Sequence, residues 1–185
     1  MEHDDDPAAR TWQCSLVHEL DRSEAATRER ARLLARRLGD VQPTAILDEL
    51  AAHAEVSLAE LAALALPAAG RRLGAVLAAL RHHLLDGLLD LEHAYRAILL
   101  GAHHGLDLVQ LLQPLARGRQ ELELADWCAR WLDRRRTLVD EAARALEWFA
   151  GDPARAREPT TRLAYGLREL AHRLEGAAGR LHLRT

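Results

Sequence analysis

Leu73, Val76, Leu77, Leu80, Leu84, Leu88, Leu91, Tyr95 and Ile98 recur at intervals of three and four residues. An α-helix, at 3.6 residues per turn, places all of them on one side, whereas a strand would scatter them over two faces. The spacing predicts a helix from about Leu73 to His104, with Gly105 as its stop.

The same period returns elsewhere. Pro7 suits a first helical position with Asp6 as its cap, and Trp12, Leu16, Val17 and Leu20 share a face. The pattern falters at Asp21–Ser23 and resumes at Ala31, Leu34 and Leu38, before Gly39. The spacing is compatible with one long helix or with two. A second helix is expected after Pro43, carrying Ile46, Leu47, Leu50, Ala54, Leu58, Leu61 and Ala62. A short one is expected from Asp107, interrupted by Pro114 and closed near Gly118. A further one covers Glu121 to Ala150, with Ala125, Cys128, Leu132, Val139, Ala142, Leu146 and Phe149 on one side. Gly151-Asp152-Pro153 is a stop, and a last helix follows from about Pro159.

Composition agrees. Leu and Ala supply most of the apolar residues, and aromatics make up only 4% of the 185 residues. Leu and Ala favour helices, and β-branched residues favour strands. The fold class is therefore all-α, and helices joined by short breaks bury their stripes best as an antiparallel bundle of four to six. The predicted organisation is an acidic tail over 1–6, a bundle over 7–152, and a basic amphipathic helix over 153–185 packed on that bundle. The last segment carries seven Arg against three Glu.

A net charge of −3 gives no reason to expect nucleic-acid binding. No segment has the length and apolarity of a membrane span, and the start MEHDDDPAAR lacks the basic and apolar regions of a secretory signal. A soluble, cytoplasmic protein is expected. Cys14 and Cys128 stand far apart without the spacing of a zinc site or a disulfide framework.

Five of the ten histidines fall in RHHLLDGLLDLEHAYRAILLGAHH, residues 81–104. On one helix His83, Asp86, Asp90 and His93 lie at i, i+3, i+7 and i+10 and share a side, to which His104 returns. Imidazole and carboxylate are ligands for iron, manganese or zinc, but a single helix cannot close a coordination shell. Glu49 and His53, at i and i+4, are the candidate partner pair. The competing and preferred interpretation makes these groups the solvated side of an amphipathic helix. His103-His104 would then sit favourably near a helix C-terminus.

Arg135 interpolates onto the core-facing stripe between Leu132 and Val139. It would either pack its stem and send its head to water, the preferred expectation, or bind an anion or pair with Asp86, Asp90 or Glu92. Trp127, Trp131, Trp148 and Phe149 would either line a ligand pocket or, the preferred expectation, pack in the core. No nucleophile elbow or phosphate-cradling loop is present.

Helix number and length, together with Asp-x-Glu-His-x-Tyr at Asp90, Glu92, His93 and Tyr95, resemble the ferritin-like superfamily over roughly residues 8–150. The resemblance implies an up-down bundle with a His or carboxylate facing a metal centre. The chain departs from that pattern in lacking the paired Glu-x-x-His motifs. The expected function is therefore non-catalytic: protein–protein interaction or self-association as a homo-oligomer, without a cofactor. The competing expectation is a metal-binding or redox protein with a divergent site at His83, Asp86, Asp90 and His93, completed by Glu49 and His53.

Overall fold

A computed structural model describes residues 7–64 and 90–160. They form four long helices, α1 Pro7–Leu38, α2 Gln42–Ala63, α3 Leu91–Gly118 and α4 Leu122–Arg144. Two short ones follow, α5 Glu147–Gly151 and α6 Pro153–Ala156. His83 and Asp86, the 1–6 tail and all but the start of the C-terminal segment fall outside the described residues.

α1 runs unbroken through Asp21–Ser23 and ends where Gly39 takes a positive φ of 75°. That conformation suits glycine, and its N–H reaches the Ala35 carbonyl at 3.1 Å. α2 opens at Gln42, with Pro43 in its first turn where a missing N–H costs nothing.

α3 corrects three expectations. It begins at Asp90, whose extended backbone interrupts the helix expected to run through it, and whose carboxylate accepts the His93 N–H at 3.0 Å. It passes straight through Gly105 and Pro114 to Gly118. Gly105 is there for space rather than for a stop, since a Cβ would stand 3.3 Å from Trp131 Cη2 and 3.4 Å from Glu24 Oε1. Pro114 is exposed, as is Gln110 one turn before it, so solvent can serve the carbonyl that loses its helical donor. His103 and His104 therefore sit mid-helix, and His104 Nε2 meets Glu19 Oε1 of α1 at 3.0 Å instead of a helix end.

α4 stops at Arg144, short of the expected Ala150. The chain turns at Ala145–Leu146, which brings Phe149 onto Tyr95 with ring centroids 5.2 Å apart. The Tyr95 hydroxyl donates to the Ala142 carbonyl at 2.9 Å.

α1 packs on α2 and α3, and α4 packs on α3 and α2, so α1 and α4 face each other diagonally. Neighbours are antiparallel, as cross-helix contacts show. Arg32 pairs with Glu55, Glu60 with Trp127, and Glu49 with Arg134. Along the α1–α4 diagonal the order is parallel, Gln13 with Glu121 and Glu24 with Arg135. The end of α2 and the start of α3 consequently lie at opposite ends of the bundle. Leu20, Leu38, Leu47, Leu50, Leu91, Leu112, Leu138 and Val139 fill the core. Trp12, expected on the α1 core face, is instead 49% exposed. No helix of the described residues is long and apolar enough to cross a membrane.

Candidate functional site

The α1 stripe Leu16, Leu20, Glu24, Thr27, Ala31, Leu34 keeps the helical period without a gap, but its middle is polar. Ser57 occupies the matching slot on α2, Arg135 on α4, and Gly105 on α3. Each helix thus brings its least apolar core residue to one level, and there the bundle encloses an ion pair. Glu24 and Arg135 are both 0% exposed, and Arg135 Nη2 donates to Glu24 Oε2. The preferred expectation for Arg135, a packed stem with its head in water, is corrected. The alternative of an ion pair holds in kind, but with a different partner. Its guanidinium lies 4.8 Å above the Trp131 ring, which shields it further. The Trp131 indole N–H donates to Ser57 Oγ at 2.9 Å, while the Ser57 hydroxyl reaches the His53 carbonyl at 2.8 Å.

Burial raises the Glu24 carboxyl above its ordinary range, and the charge and hydrogen bond of Arg135 pull it partway back. Burial lowers Arg135 in turn, opposed by Glu24. A guanidinium nevertheless stays charged in proteins, so a fixed positive charge stands at the bundle centre. That is where facing helices of a bundle metalloprotein converge their ligands, and a guanidinium there repels a metal ion.

Of the six candidate ligands, His83 and Asp86 fall outside the described residues. Asp90 and His93 are together, Oδ1 to Nδ1 at 2.6 Å, with Glu92 Oε2 at 3.1 Å from the same nitrogen. These three form the one such metal-capable group among the described residues. They sit on the first turn of α3, where the helix dipole is positive, and Arg96 holds the other Glu92 oxygen at 2.9 Å. Glu49 and His53 are not part of that group. Glu49 meets Arg134 at 2.6 Å on the surface. His53 packs against Trp131, ring centroids 5.7 Å apart, and is pushed down to about 4 by burial, then by the charges of Arg135 and Arg134.

A cleft of about 400 Å³ lies between the end of α2 and the start of α4. Glu60 of α2 lines one side and Glu123, Asp126 and Arg130 of α4 the other, and Glu60 accepts the Trp127 indole N–H at 2.8 Å.

The polar centre has no route to solvent through its two charged members, and its carboxylate is held by a guanidinium. That arrangement does not present a base or nucleophile to a substrate. Sequence reasoning missed Glu24, Ser57 and Gly105. The signal for Glu24 is its position four residues after Leu20 and seven before Ala31, just past the Asp21–Ser23 break in the pattern. No family model, curated protein or solved structure matches the chain.

Proposed function

We propose that this chain is a non-catalytic helical-bundle protein that works by binding another protein surface, with a second copy of itself as the first partner to test. The observation that carries this reading is Leu100, which stands 72% exposed on α3. Leu111, also exposed, follows eleven residues later, about three turns on and within roughly 20° of the same direction. His104 and Asp107 lie between them on that strip, so it is apolar at both ends and polar in its middle. Single exposed leucines are ordinary on any surface; two in register on one strip are what a partner helix or groove would cover.

Light scattering over a wide concentration series tests it. The expected result is a mass above the monomer that falls on dilution and is reduced by Leu100→Glu combined with Leu111→Glu. A clean monomer throughout removes self-association.

A second reading is favoured by Asp90, Glu92 and His93, whose ligand atoms lie within 4.8 Å of one another. The directions of the helices add to it, since α2 and α3 run parallel across a diagonal as in bundles with one long crossover, the ferritin-like among them. On this reading the protein binds iron, manganese or zinc at the head of α3. Elemental analysis of untagged protein after reconstitution with each metal decides it, and a content far below one ion per chain rejects it.

A further inference from the structure

Four exposed residues on the outer strip of α3 follow a spacing that is the same in both directions. Leu100, His104, Asp107 and Leu111 stand at intervals of four, three and four. On a helix they keep within an arc of about 60° and span about 16 Å along the axis. Turned end for end, the strip puts leucine where leucine was and exchanges the imidazole with the carboxylate.

Contacts within the chain set what this strip offers. His104 does not turn to Asp107 one turn away; its Nε2 meets Glu19 Oε1 of α1 at 3.0 Å. The exposed Asp107 side chain has no hydrogen bond or ion pair among the described residues, so its carboxylate is open to an outside donor. α1 enlarges one apolar end. Trp12 lies seven residues before Glu19 and Leu111 seven after His104 on antiparallel helices. Both therefore stand about 10 Å along the axis from the Glu19–His104 contact, on the same side of it. Trp12 is 49% exposed and Leu111 46%.

Such a strip complements itself. In a two-fold pair the same patch serves both partners, and residue i meets j while j meets i. With α3 antiparallel to its copy and the axis midway between His104 and Asp107, each Leu100 meets a Leu111, and each His104 meets an Asp107. A parallel pairing would instead set carboxylate on carboxylate and imidazole on imidazole.

We propose that the partner of this strip is a second copy of the chain, docked antiparallel along α3, with Leu100 on Leu111 and His104 donating to Asp107 of the second copy. Trp12 flanks each apolar end. The pairing rests on the self-association proposed above and adds its geometry. A strip of this length gives a contact at the small end of specific interfaces, so the dimer dissociates on dilution.

Disulfide trapping in the full chain tests it, with Cys14→Ser removing the partly exposed native thiol. Leu100→Cys and Leu111→Cys are oxidised separately and as an equal mixture, at a concentration where the native protein scatters as a dimer. A disulfide needs Cα atoms within about 7 Å. The pairing brings position 100 of one copy to position 111 of the other, and keeps 100 from 100 and 111 from 111 by about 16 Å along the axis. The mixture should therefore cross-link about tenfold faster than either variant alone. Faster linking of one variant with itself, or equal slow rates in all three, overturns the pairing while light scattering still shows self-association. A native protein that stays monomeric overturns both and leaves the strip to a different occupant. Trimming a leucine also weakens packing, so Asp107→Lys supplies a second measurement. It removes the acceptor and sets an ammonium against His104 of the second copy, which should raise the dimer dissociation constant about tenfold. An unchanged constant overturns the pairing.

Discussion

Glu24 of α1 and Arg135 of α4 meet across the diagonal of the bundle, each with no solvent-exposed surface. The energetics of such a pair are asymmetric. Removing one member leaves an uncompensated buried charge, which costs about 3–5 kcal/mol, whereas replacing both with apolar residues of similar volume is often neutral or stabilising by about 1–4 kcal/mol. Arg135→Met is therefore expected to lower the urea midpoint sharply, and Glu24→Leu with Arg135→Met to recover it. A single variant that loses less than about 1 kcal/mol would show that the pair is not buried in solution as it is here. The double variant also asks what the pair is for. If it fixes which helices face each other, the more stable double variant should show broadened or duplicated NMR signals.

The stripes of the four long helices were legible from spacing alone, because a core of Leu and Ala at intervals of three and four leaves little freedom about which side faces inward. Leu91, Tyr95 and Ile98 are buried as that spacing requires, and so are Leu47, Leu50, Cys128, Leu132 and Val139. What spacing could not show was the chemistry of one level within the stripes. Glu24 and Ser57 each obey the helical period, but a polar residue on a stripe reads as an interruption until its partner on another helix is known. Helix ends were misread for a related reason. Gly105 and Pro114 carry the local signs of a break, yet tertiary packing against Trp131 and exposure to solvent, respectively, let the helix continue. Asp90 carries both the sign of a cap and that of a ligand, and residue type does not separate the two.

His53 ties stability to pH. Its imidazole ordinarily titrates near 6.5 and is pushed down to about 4 in the folded chain, first by burial and then by Arg135 and Arg134. Above pH 6.5 it is neutral in both the folded and unfolded chain, and its full contribution is present. Between 6.5 and 4 the unfolded chain takes up a proton that the folded chain refuses, so stability falls as the pH falls through that window. Discounting for partial solvent access, the loss is roughly 1–2 kcal/mol. Glu24, raised by burial, acts in the opposite sense, since the folded chain holds its proton to higher pH than the unfolded one. Comparing thermal midpoints of the native protein and His53→Gln at pH 7 and pH 5 isolates the histidine. The variant should show the smaller acid loss, and an identical loss in both rules out His53 as the group responsible.

The two cysteines should separate cleanly by reactivity. Cys14 is partly exposed on α1, whereas Cys128 is buried in the core and its thiol is pushed up to about 12 by desolvation. The thiolate is the reacting species, so Cys128 is disfavoured both by access and by ionisation. With a thiol-specific chromogenic reagent at pH 8, one equivalent should react promptly in the native protein and the second only on addition of denaturant. Two prompt equivalents would mean that the α4 core opens on the timescale of labelling.

At the head of α3, the Asp90 side chain accepts the His93 backbone N–H at 3.0 Å and also approaches its ring. The first contact is a helix cap, and the second is what a metal would replace. Substitution distinguishes them. Asp90→Ala removes the cap and should cost about 1 kcal/mol, while Asp90→Asn retains the accepting oxygen and should cost only a few tenths. A bound ion would add a second signature, because any metal that prefers the folded chain raises its thermal midpoint in proportion to the logarithm of its concentration. With the cap as the principal role, added manganese or zinc should leave the midpoint unchanged in the native protein and in Asp90→Asn alike. A midpoint that climbs with metal in the native protein, and no longer does so in Asp90→Asn or His93→Ala, would instead place an ion on Asp90, Glu92 and His93.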